Sequence, residues 1–136
     1  MLGQLARPGR VVIADFEAGL GTVLRLGPDS VDVVVVVVEP TAKSLDVGRR
    51  AAQTVREAGL ARIVVTANRV RDDDDADRVR AAFVGFDPTF VPDDPAIVDA
   101  ERRGLAPLDH APQSPAVRAL VRLAHGLTAQ VAPAPA

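Results

Sequence analysis

Apolar residues in this chain fall into short unbroken blocks, and most blocks are followed by a stretch in which apolar positions recur every three or four residues. Val11 to Ala14 and Val31 to Val38 are two such blocks. Both are too short for a helix and rich in β-branched residues, and neither alternates apolar with polar, so each reads as a strand covered on both faces. Thr41 to Ala58 reads as an amphipathic helix, with Leu45, Gly48, Ala52 and Val55 on one face and Arg49, Arg50, Gln53, Arg56 and Glu57 on the other. Gly59 is its natural stop.

The same logic continues to the end of the chain. Arg62 to Ala67 is a third strand, closed by Asn68-Arg69-Val70, and Asp72 to Asp75 leads into a helix that buries Ala76, Val79 and Phe83. The four acids there read as a solvated loop and helix cap. Thr89 to Val91 is a short fourth strand, followed by Pro92-Asp93-Asp94-Pro95. Asp94 suits an N-cap and Pro95 the first helical position, which predicts a helix to about Arg103 that stops at Gly104. Ser114-Pro115 repeats that signal for a last helix burying Val117, Leu120, Val121 and Ala124. Residues 20–30 suit a short helix or ordered loop, residues 1–9 are a lead-in, and residues 129–136 form a frayed tail. One domain over residues 10–128 results.

Strands that alternate with helices imply βαβ units, and hence an α/β domain with a mainly parallel sheet of about four strands. In such a sheet the carboxyl ends of all strands lie along one edge, where ligands bind. Asp15, Glu39, Asn68 and the Pro92 to Asp94 turn are then expected to converge there. A carboxylate at Asp15 could reach a metal ion or a water, and Gly19 could let backbone approach a phosphate without a Cβ in the way. Each residue also has a plainer reading: Asp15 and Asn68 in turns, Glu39 as a surface charge, Asp94 as a helix cap.

Composition narrows the field. The 136 residues are 48% hydrophobic, with 16 basic and 18 acidic side chains for a net charge of -2, so no basic footprint for nucleic acid exists. No apolar run approaches the roughly 20 residues that span a bilayer, and the first ten residues carry no signal-peptide core, which makes a cytoplasmic location the expectation. The absence of cysteine excludes disulfides and thiolate metal sites. Four Phe with neither Trp nor Tyr leave little for base stacking along a nucleic acid strand.

Four segments, Asp15-Phe16-Glu17-Ala18-Gly19, Val38-Glu39-Pro40-Thr41-Ala42-Lys43-Ser44-Leu45, Asn68-Arg69-Val70 and Val91-Pro92-Asp93-Asp94, taken in order, resemble the C-terminal portion of a MinD/ParA-type P-loop ATPase. Within that class the chain is most similar to the CooC-like ATPases of carbon monoxide dehydrogenase maturation. The resemblance implies a partial three-layer α/β/α fold and binding of ATP or ADP with magnesium. It implies that Asp15 holds magnesium through water and helps position the attacking water, and that Gly19 senses the γ-phosphate. Asn68 and Arg69 would recognise and stack on adenine, and Pro92, Asp93 and Asp94 would line the base. An amide can pair with the adenine edge through one donor and one acceptor, and a guanidinium plane can cover its face.

The phosphate-binding loop is what these residues lack. Such a loop needs G-x-x-x-x-G-K-[ST], and around Lys43, the sole lysine, the glycine positions hold Val37 and Ala42. The resemblance therefore implies a nucleotide-binding protein not competent in hydrolysis alone, which pairs with another copy or with a client such as a metalloenzyme. A non-catalytic interaction module that keeps the fold is the alternative. In this class the strand leading into the phosphate loop lies between the strand of Asp15 and that of Val33 to Val38, so valine surface is expected to be left open for association.

Overall fold

The computed structural model describes residues 10–16 and 31–129. Within them β1 (Val33–Val38), β2 (Arg62–Val70) and β3 (Thr89–Pro92) form a parallel sheet in the order β1-β2-β3. The helices are α1 (Ala42–Ala58), α2 (Asp73–Ala82), α3 (Pro95–Arg102), α4 (Pro107–His110) and α5 (Pro115–Thr128). α1 and α2 cover one face of the sheet, and α5 packs on β3 from the other. No helix of the described residues is long and apolar enough to cross a membrane.

α1 forms where its period predicts. Thr41 caps it through Oγ1, which accepts from Ser44 N, and Gly59 ends it at φ 61°, a left-handed conformation that costs glycine little. Leu45, Gly48, Ala52 and Val55 are its buried face. Leu45 and Ala52 meet Val36, Val38, Val65 and Ala67 of the sheet and Ala76, Val79 and Phe83 of the α2 region in one apolar core.

Gly48 is where α1 comes closest to the sheet. A Cβ there would overlap Val38 Cγ1 and lie 3.3 Å from Phe83 Cζ. Gly48→Ala is expected to lose about 1–3 kcal/mol to overpacking and to regain at most about 1 kcal/mol of helix propensity. A lower urea midpoint at unchanged slope would show this; an equal or higher midpoint would mean the close approach is dispensable.

The sheet differs from expectation in two places. Residues 10–16 carry no strand, and Val11, Val12 and Ile13 are exposed, so the sheet has three described strands rather than about four. A β-branched block becomes a strand only when a neighbouring edge accepts its hydrogen bonds, and no described segment pairs with this one. Nor is β1 covered on both faces: Val36 and Val38 are buried under α1, while Val35 and Val37 are 37% and 62% exposed. β1 is an edge strand among the described residues, and α5 packs chiefly on β3.

The last helix buries Val117 as expected, together with Ala116 and Ala119, whereas Leu120 is 43% exposed, Val121 half-buried and Ala124 exposed. Residues 20–30 and Gly19 lie outside the described residues, as do residues 1–9 and 130–136.

Candidate functional site

Because β1, β2 and β3 run parallel, their carboxyl ends share one edge. Glu39 follows β1, Asn68 and Arg69 close β2, and Pro92 ends β3 with Asp93 and Asp94 just beyond. The structure brings these together. Arg69 Nη1 lies 3.6 Å from Glu39 Oε1, and Arg69 Nε lies 3.6 Å from Asp93 Oδ1. Asp93 N donates to Val70 O at 2.9 Å, which ties the ends of β2 and β3 together.

A bulge aims Arg69 into this edge. Ala67 pairs with Phe90 and Val70 with Pro92, so β2 has one residue more than β3 over that interval, and Arg69 takes φ 58°. A left-handed conformation in a residue with a Cβ costs roughly 1–2 kcal/mol. The extra residue returns Val70 to the core face beside Val65 and Ala67 and leaves Arg69 exposed. Both of its carboxylate contacts exceed hydrogen-bond length, and its side chain is 63% exposed, so its donors are steered rather than consumed.

The chain leaving the bulge is pinned. Arg71 donates to Asp75 through Nε at 2.8 Å, through Nη2 at 3.1 Å and through its backbone N at 3.1 Å. Asp75 is 1% exposed, which corrects the expectation of solvation for that one acid, whereas Asp72, Asp73 and Asp74 are exposed and Asp72 acts as the cap, accepting from Asp75 N. The Arg71 guanidinium, outweighing the effect of burial, holds the Asp75 carboxyl below the usual carboxylate range.

Asp94 has a structural task at the same edge. Oδ1 accepts from Ala96 N and Oδ2 from Ala116 N, both at 3.0 Å, so one carboxylate caps α3 and also holds the start of α5. Those backbone donors, Ala116 first and Ala96 second, lower its pKa. Asp94 therefore shapes the loop, and its two oxygens are already engaged.

Beside it, an open cleft of about 480 Å³ is lined by Arg69, Asp93, Pro95, Val98, Asp99 and Arg102. Asp99 accepts from His110 at 2.7 Å, which fastens α4 to α3, and pairs with Arg103 at the end of α3 at 3.0 Å; both contacts lower its pKa. α4 was not legible in the sequence, and its His110 makes that fastening. Arg69 and Arg102 together with Pro95 and Val98 in one lining suit a flat heteroaromatic base, and the carboxylates of Asp93, Asp94 and Asp99 there disfavour a phosphate.

The turn after β1 offers no phosphate cradle. Glu39 N donates to Ser44 Oγ at 2.9 Å while Ser44 N donates to Thr41 Oγ1, and Lys43 is an exposed residue of the first helical turn. Asp15 is exposed in the segment without regular structure. Among the described residues no group of three or more potential metal ligands is gathered.

The fold and this edge define a parallel α/β domain of the kind that carries its ligand site beyond the strand ends. Its likeness to MinD cell division protein of Aquifex aeolicus has a TM-score of 0.54 at 22% identity, over 78% of this chain and 48% of that one, and shows the shared fold. A stretch of 64 residues is 39% identical to the uncharacterized ATP-binding protein MJ0823 of Methanocaldococcus jannaschii, over 47% of this chain. The match spans a quarter of that protein's length. No protein-family model matches the chain.

Proposed function

We propose that this chain supplies the base-recognising part of a nucleotide-binding unit of the MinD/ParA class, of the CooC-like maturation type, and that it does not hydrolyse ATP alone. The observation that carries the reading is the meeting of Glu39, Asn68-Arg69 and Pro92-Asp93 at one sheet edge, beside a cleft suited to a base. The likenesses to an ATP-binding protein and to MinD support it. In this reading Asn68 pairs with the adenine edge, Arg69 covers the ring, and Pro92 to Asp94 form the wall. Asp15 and Gly19 act on magnesium and the γ-phosphate only once a phosphate-binding strand is seated. The open side of β1, with Val35 and Val37 exposed, is the place for that strand, brought by a second copy or a client.

Calorimetry with adenosine and ADP tests the reading. Because the base and not the phosphate is held here, the two ligands are expected to bind this chain alike, and Arg69→Ala to weaken both about fivefold, the size of a ~1 kcal/mol stacking contact. Equal binding by parent and variant, or no saturable heat, would favour the non-catalytic interaction module. ATP turnover that Asp15→Ala abolishes would refute the absence of hydrolysis.

A further inference from the structure

We infer that the open edge of β1 is an interface for a second copy of this chain, the two β1 strands pairing antiparallel across a twofold axis at Val35. Asp32 O accepts from Arg62 N, so in the alternation of the strand Val34, Val36 and Val38 bond to β2, while Val33, Val35 and Val37 turn their N–H and C=O groups to the open side. Glu39 N, next in that series, is closed off by Ser44 Oγ at 2.9 Å. No described segment pairs with Val33, Val35 or Val37, and this edge has none of the lysine, proline or bulge by which natural edges resist pairing.

Identical valines do not by themselves fix a register. Centring the axis on Val35 uses every free group: Val33 pairs with Val37 of the partner subunit, and Val35 with Val35 of the partner subunit. Val36 and Val38 of both copies then share the face under α1, and the exposed Val35 and Val37 of both form one apolar stripe on the other. Charge fits the same register. Asp32 of the partner subunit comes opposite Val38 on the α1 face, beside the first turn of α1, which has no acid of its own and carries the exposed Lys43. Glu39 points to the other face and is answered within its own chain by Arg69 at 3.6 Å.

The flank of α1 above that edge is equally unpartnered. Arg56 reaches Phe86 and Gly85 on the α2 side of the helix, and Ser44 marks the opposite flank, where Val47 is 45% exposed and Ala51 and Ala58 are small. With strands about 4.8 Å apart and α1 lying over both β1 and β2, the two α1 helices stand about 10 Å from one another, a spacing at which helices pack. Self-pairing fills the edge that the nucleotide reading gives to a phosphate-binding strand, so the two occupants exclude each other; it rests on β1 and α1 alone and stands or falls apart from base recognition.

Sedimentation velocity of the full chain across a concentration series tests this. A reversible dimer is expected. Val35→Lys and Val35→Glu should each raise its dissociation constant at least about tenfold, because like charges would face each other across the axis, and an equimolar mixture of the two should restore it. The chain has no cysteine, so Val35→Cys offers one thiol per copy. A hydrogen-bonded antiparallel pair sets its Cα atoms about 5.5 Å apart, within disulfide reach, and mild oxidation should cross-link the variant. Val84→Lys, at the exposed valine just past α2, should change nothing. Val35 is 37% exposed and its backbone groups face away from β2, so the variants should fold, which circular dichroism checks. A monomer at every concentration, a dimer that survives both charged variants, or no recovery on mixing would overturn the pairing. So would a dimer that Ile13→Lys abolishes and Val35→Cys fails to cross-link, which would give the edge to the Val11 to Ile13 block.

Discussion

Replacing Phe83 with alanine is expected to cost about 3–5 kcal/mol, enough to leave the domain marginal at room temperature. Phe83 is 1% exposed and is the largest side chain fully buried in the described residues. It ends the α2 region and meets Gly48 of α1, so it is the plug between the two helices that cover one face of the sheet. Its ring packs edge-on against Phe86, at 6.0 Å and 80°, and Phe86 is in turn covered by Arg56. Little of the resulting cavity can close, because its lining belongs to a strand and two helices already fixed by their own hydrogen bonds. Urea denaturation of Phe83→Ala and Phe86→Ala provides the comparison. Phe86 is only partly buried, so its loss should be clearly smaller; a loss below about 1 kcal/mol for Phe83→Ala would mean the core lies elsewhere.

Phe83 and its neighbours also show what the sequence can convey. The buried face of α1 follows from a period of 3.6 alone, and Leu45, Gly48, Ala52 and Val55 are its buried residues. The caps at Asp72, Asp94 and Ser114 were equally legible, since they act within three residues of themselves, whereas Thr41, read as the first helical residue, is the cap of α1. β1 was not, because six valines look the same whether a second layer covers them or not; the exposure of Val35 and Val37 is decided by where α5 lies, far along the chain. The Val11 to Ala14 block failed for a related reason, as a strand needs a partner that its own residues do not specify. At the site, convergence of the strand tips followed from parallel topology. The bulge at Arg69 did not, because nothing in Asn-Arg-Val signals a left-handed arginine. The Asp94 bond to Ala116 spans 22 residues and is likewise beyond any local pattern.

That long-range bond sets the second large effect. Asp94→Asn is expected to lose about 1–3 kcal/mol at neutral pH, since an amide has one acceptor oxygen for two backbone donors, and its NH₂ would face either Ala96 N or Ala116 N. The pH dependence has a definite sign. Donation from Ala116 and Ala96 lowers the carboxyl's pKa in the folded chain, so its contribution is present above the unfolded value, about 4, and fades as pH falls through the folded one. Parent and variant should therefore differ most near neutrality and draw together as pH falls through the lowered folded-state value. Asp75 and Asp99 are lowered too, so the variant keeps part of the acid sensitivity. Urea titrations from pH 7 to pH 3 would reveal this, and a gap that widened on acidification would contradict the assigned role. Because Asp94 joins the starts of α3 and α5 and lines the same cleft as Arg69, the variant should also weaken adenosine binding at neutral pH. Loss of stability with adenosine affinity intact would separate the scaffold from the site and confine base recognition to Asn68 and Arg69.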